Sequence, residues 1–117
     1  MGKRDFRSIR RAVLSSLKSR PEVQAAYIFG SAASGRARPD SDVDIAVVVA
    51  KPSDVDRVGD EFIITIAPRF KAYFGAQLDP YVKSTVEFRQ RLKKNQPPVL
   101  SLMKAYTVLF GKEPLEI

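Results

Sequence analysis

Asp42 and Asp44 stand two residues apart at the mouth of the apolar run Val43–Val49. On a strand, alternate side chains share a face, so both carboxylates project together while Val43 turns toward a core. Two like charges that close raise each other's energy unless a cation sits between them. Asp79 can supply a third carboxylate if its segment runs beside Val43–Val49. Three carboxylates, phosphate oxygens and water would then fill the octahedral shell of Mg²⁺. Paired ions of that kind serve the attacking and leaving oxygens of a phosphoryl transfer. A plainer reading stands beside each residue: Asp42 as the cap of a turn, Asp44 as a solvent-facing strand residue, and Asp79 as a turn residue before Pro80.

Gly30 and Ser31 precede the aspartates. A glycine at the end of a buried strand permits a tight turn and the close approach of another group to the backbone. The N–H groups after it can face a phosphate at the start of a short helix, and the Ser31 hydroxyl adds a donor. An ordinary capped turn has the same two residues. The chain has no cysteine and no histidine. Disulfides, thiolate and imidazole metal sites, histidine acid–base chemistry and Ser-His-Asp triads are therefore excluded. Any metal must be a hard cation on carboxylate oxygens.

These residues need a scaffold. Phe6, Ile9, Val13, Leu14 and Leu17 recur at helical steps, which predicts an amphipathic helix over about Asp5–Lys18, ended before Pro21. Val23–Phe29 reads as a buried strand, Ala32–Ser34 as a short helix and Arg36–Asp40 as a loop. Val43–Val49 is the most strand-like run, dominated by β-branched residues. Ser53 reads as a helix cap, with Val55, Val58, Phe62, Ile63 and Ile66 tracing one face. Pro68 must kink that helix or divide it from Arg69–Phe74, and Gly75 ends it. Gln77–Val82 is a weaker strand, with Pro80 arguing for an edge position or a strand end. Glu87–Lys94 reads as a basic helix and Val99–Phe110 as a last amphipathic helix, stopped at Gly111.

The expected fold is a two-layer α/β domain with a small mixed or antiparallel sheet and helices packed on it. The short link between the first two strands suits an antiparallel pair. With 117 residues, positions 1–117 form one domain, short enough that a partner subunit completing its core or site is plausible from size alone. The net charge of +7 attracts acidic proteins, nucleic acid or anionic membrane without choosing among them. No signal-peptide-like or membrane-spanning run is present, so the expected location is cytoplasmic.

The spacing Gly30-Ser31, ten intervening residues, then Asp42-Val43-Asp44 resembles the signature of the minimal nucleotidyltransferase (MNT) family, relatives of the DNA polymerase beta palm superfamily. The longer stretch GSAASGRARPDSDVDIAVVV looks most like the MntA-like antitoxins encoded beside HEPN-domain ribonuclease toxins. The likeness spans nearly the whole chain. It implies a polymerase-beta palm-like fold and a Mg²⁺-dependent transfer from ATP to a protein hydroxyl, with a tyrosine of the toxin as acceptor. It implies that Gly30 and Ser31 cradle the triphosphate; Arg36 or Arg38 of the following loop is a candidate further phosphate contact, a solvated loop cation being the plainer reading of each. It also implies that Asp42, Asp44 and Asp79 hold Mg²⁺, with Asp79 helping to activate the acceptor. The family often carries arginine or another polar residue directly after Gly-Ser, where this chain has Ala32. Two other readings stay open: a small-molecule nucleotidyltransferase, and a non-catalytic module binding a partner or nucleic acid. Direct nucleic-acid binding is the less favoured of the partner readings.

Overall fold

The computed structural model describes residues 6–17, 20–30, 33 and 42–117, with side chains from residue 11 onward. The first helix, α1 (Phe6–Leu17), buries Val13 and Leu17. Strands β1 (Val23–Phe29) and β2 (Val43–Val49) have the bounds that their apolar runs predict. Both are nearly continuous apolar sequences because both are central strands, covered on two faces. They pair antiparallel, with Phe29 opposite Asp44.

The segment after β2 begins with a 3-10 turn, Pro52–Asp54, followed by α2 (Val55–Glu61). Ser53 is not its cap: it lies inside the 3-10 turn, and neither end of that entry has a side-chain cap hydrogen bond. The helix then widens into a π segment, Phe62–Ile66, before α3 (Ala67–Phe74). Pro68 falls at the first turn of α3, where a missing N–H is tolerated. The local change to π hydrogen bonding therefore lets one continuous helical segment pass through the proline. Gly75 stops it in a left-handed conformation, its N–H donating to the Lys71 carbonyl at 2.8 Å.

Strand β3 (Leu78–Ser84) returns parallel to β2, the crossover between them being made by α2 and α3. It is an edge strand in the sheet order β3-β2-β1-β4, which accommodates Pro80. Helix α4 (Thr85–Lys94) follows at once, held by a capping box between Ser84 and Glu87. The expected helix over Val99–Phe110 is corrected by the structure. Only Val99–Lys104 is helical, as α5; Ala105 is extended, and Tyr106–Gly111 forms β4, antiparallel to β1. Tyr106, Thr107, Val108 and Phe110 are strong β-formers, and their strand satisfies the edge of β1 that β2 leaves open.

The sheet is therefore mixed, with helices packed on it. On one face, Ile28, Ile45, Val47 and Leu78 pack against α1, α2, the π segment and α3. On the other, Tyr27, Phe29, Ala46 and Val48 pack against Phe88 of α4 and Val99 and Leu102 of α5. This second helical layer is additional to the two layers anticipated from sequence. Tyr27 anchors it, stacking on Phe88 with ring centroids 6.0 Å apart and donating its hydroxyl to the Lys112 carbonyl.

Candidate functional site

The C-terminal end of β1 meets the N-terminal ends of β2 and β3 at one corner of the sheet. Asp44 is the second residue of β2 and Asp79 the second of β3, and the parallel register sets them side by side. Ala46 and Val48 face the α4–α5 layer, so the alternation along β2 places Asp44 on that same side of the sheet. Asp44 is the one residue of β2 that is not buried, and Asp42, just before the strand, is exposed.

Gly30 closes the corner from above. It has φ +72°, a left-handed conformation that L side chains avoid. A methyl group built on it would overlap Oδ2 of Asp44 and lie 3.4 Å from its Cγ. The absence of a side chain at Gly30 is therefore what allows the turn after β1 to rest on the Asp44 carboxylate. This is the close backbone approach for which the sequence needs a glycine.

Gln77 is a residue that the sequence reading passed over. Its carbonyl accepts a hydrogen bond from the Val43 N–H at 2.8 Å, tying the start of β3 to the start of β2. Its side-chain amide donates to Oδ1 of Asp79 at 3.0 Å, fixing the orientation of that carboxylate. The two-residue spacing of Gln77 and Asp79 on a strand was the available signal.

Burial raises the pKa of Asp44 above its ordinary value of 3.8, and the neighbouring charges of Asp79 and Asp42 raise it further. The corner thus concentrates the negative charge of Asp79 and Asp42 around a half-buried Asp44 carboxylate. The donors are all hard oxygens, which suits Mg²⁺. Among the described residues no group of three or more acidic side chains is already gathered as a metal cage. The sheet register brings Asp44 and Asp79 together, with Asp42 at the exposed margin. A divalent ion there would take its remaining ligands from water and phosphate. Ser31 and Arg36, together with Ala32 and the expected helix Ala32–Ser34, fall outside the described residues save for Ala33.

A mixed sheet whose strand ends bring Asp44 and Asp79 together beneath a glycine turn defines a nucleotidyltransferase domain. The chain belongs to the family described as Polymerase beta, Nucleotidyltransferase, which matches residues 12–101. No curated protein matches it. Among solved structures it is similar to a toxin–antitoxin with AMP-PNP: TM-score 0.60, 21% identity, 89% of this chain and 74% of that chain. It is also similar to the toxin–antitoxin MntA-HepT: TM-score 0.54, 19% identity, 91% of this chain and 73% of that one. At these identities the likeness is one of fold. Among the described residues, no helix is long and apolar enough to cross a membrane.

Proposed function

We propose that this domain transfers an adenylyl group from ATP to a hydroxyl side chain of a partner protein, a HEPN-type ribonuclease toxin, and thereby acts as its antitoxin in the cytoplasm. The observation that carries this reading is the register pairing of Asp44 with Asp79 beneath Gly30. Two carboxylates on adjacent strands offer a shared position for a divalent ion, and the Gly30 backbone lies against Asp44, where it would meet a phosphate bound to that ion. The toxin–antitoxin structure with AMP-PNP, a nucleotide, supports both the nucleotide and the partner class.

In this mechanism Gly30, Ser31 and Arg36 hold the triphosphate, and Asp42, Asp44 and Asp79 hold Mg²⁺. The bound ion would supply charge neutralisation on the phosphates and a lower cost of deprotonating the acceptor. The acceptor hydroxyl oxygen forms a bond to the α-phosphorus. The bond from that phosphorus to the α–β bridging oxygen breaks, and pyrophosphate carries away the electron pair. The hydroxyl proton passes to Asp79, whose second oxygen remains after Gln77 occupies the first. Positioning and electrostatics supply most of the acceleration.

Ala32, standing where the family often carries a polar or charged residue after Gly-Ser, favours one second reading, a module that binds its partner without catalysis. Calorimetric titration with ATP separates the two. The enzyme reading expects binding that requires Mg²⁺ and disappears in Asp42→Asn/Asp44→Asn while the fold is kept. Absence of Mg²⁺-dependent binding in the wild-type protein would overturn it in favour of the binding module.

A further inference from the structure

The charges of this chain are segregated. From Lys83 to Lys112 there are seven cations and one carboxylate, Glu87. From Asp54 to Glu61 there are four carboxylates and one cation, Arg57. The basic stretch lies on the side of the sheet that carries Asp44, because α4 packs there through Phe88.

Its position along that side follows from geometry. Helix α4 starts where β3 ends and folds back over the sheet. Its ten residues cover about 15 Å at about 1.5 Å per residue. The stretch of β3 from Ser84 back to Asp79 covers about 16 Å at about 3.3 Å per residue. The cationic last turn of α4, with Arg91, Lys93 and Lys94, therefore returns to the level of Asp79. Consistent with this, Leu92 packs in the same cluster as Tyr81, which lies two residues from Asp79 on the same face of β3. Lys83 Nζ lies 5.5 Å from the centre of the Tyr81 ring.

The exposed side of α4 also carries an apolar group. Val86, Arg89, Gln90 and Lys93 fall at helical spacing on one stripe, and Val86 is 57% exposed. Leu100 on the neighbouring α5 is 41% exposed. Cations flanking aliphatic side chains are complementary to an acidic, partly apolar protein surface. Single-stranded nucleic acid would call for exposed aromatic platforms among the cations, and neither α4 nor α5 presents one: Phe88, their sole aromatic residue, is buried.

We infer that the exposed stripe of α4, from Val86 to its cationic last turn, is the docking surface for an acidic, partly apolar segment of the acceptor protein, seated beside the Asp44–Asp79 pair. This rests on the proposed transfer to a protein partner and names the surface that would present the acceptor.

The test uses a fluorescently labelled copolymer of Glu and Tyr, read by anisotropy, with the intact protein. Lys93→Glu/Lys94→Glu should weaken binding about tenfold or more, with the loss growing as salt is lowered. Lys93→Gln/Lys94→Gln should weaken it less and in the same direction, which guards against a helix-end effect of the added glutamates. Arg11→Glu/Lys51→Glu changes net charge equally at exposed positions elsewhere and should weaken binding by no more than about threefold. Equal losses in the two charge-reversed variants would overturn the inference, since net charge alone would then account for binding. Tighter binding of a labelled single-stranded oligonucleotide, lost in the same α4 variants, would overturn it in favour of nucleic acid. Mg²⁺-dependent ATP binding, measured in parallel, is expected to be unchanged in every α4 variant. Its absence from the wild type would count against the transferase reading and leave the docking result to be judged on its own.

Discussion

Gly30 rests against the carboxylate of Asp44, and the space a side chain would need is the space that Oδ2 occupies. Gly30→Ala should therefore be costly twice over. The left-handed backbone at φ +72° becomes unfavourable by roughly 1–2 kcal/mol, and Asp44 must move. Urea denaturation should report a loss of that order or more, and Mg²⁺-dependent ATP binding should weaken with it. Wild-type stability and affinity in the variant would mean that the turn does not sit on Asp44.

The Asp44 carboxyl should make metal-free stability depend on pH with a distinctive sign. Its folded pKa lies above the ordinary 3.8, so the folded state holds a proton that the unfolded state releases. Stability from this group is then greatest below 3.8 and declines as pH rises from there through the folded value. Asp44→Asn should remove that decline and raise the metal-free melting temperature near neutral pH, while abolishing Mg²⁺-dependent ATP binding. A variant less stable than wild type at neutral pH without metal would contradict the electrostatic account.

Glu87 should act in the opposite direction. The Ser84 N–H bonds its carboxylate, and its pKa is held below the ordinary 4.5 by that bond first. Its stabilising contribution is present above 4.5 and is lost as pH falls through the folded value. Ser84→Ala removes the other half of the box, in which the buried Ser84 hydroxyl accepts from the Glu87 N–H at 3.2 Å. It should cost about 1 kcal/mol. Thermal melts of Ser84→Ala and Glu87→Gln at neutral and acid pH check both, with the Glu87 effect vanishing at low pH.

Asp79→Asn should separate chemistry from binding. Asp79 is the carboxylate assigned to the acceptor proton, and Gln77 can still hydrogen-bond the substituted side chain. The transfer rate should fall by about a hundredfold or more, with ATP affinity changed by only a few fold. A rate equal to wild type would move the third carboxylate elsewhere, with Asp40 as the next residue to test; Glu87, held in the Ser84 capping box at the far end of β3, is not a candidate.

How much of this was legible in the sequence depended on whether one physical signal dominated locally. Val23–Phe29 and Val43–Val49 are buried on both sides, so their apolar runs mark their own ends. Pro80 left β3 as an edge strand or a strand end, and the sheet order makes it the edge. At Val99–Phe110 the apolar residues fit a helical and an extended spacing at once, and the strand at Tyr106–Gly111 exists because β1 offered an open edge. That is a tertiary cause with no local trace. The cap of α4 was readable as Ser84-Thr85-Val86-Glu87, a capping-box pattern just before the helix, whereas Ser53 carried the right residue type at a place where the chain makes a 3-10 turn. For the site, the spacing of Asp42 and Asp44 pointed to a shared face. That Asp79 falls directly beside Asp44 depends on the length of the crossover through α2 and α3, which no pair of residues announces.

The central claim, transfer onto a partner hydroxyl, is tested most directly by weighing the partner. The protein and its toxin partner are purified together, incubated with ATP and Mg²⁺, and analysed by intact mass. The account predicts that the partner gains one or more adenylyl groups, and that the gain is lost in Asp42→Asn/Asp44→Asn and without Mg²⁺. A stable, inhibited complex whose partner keeps its original mass would contradict it.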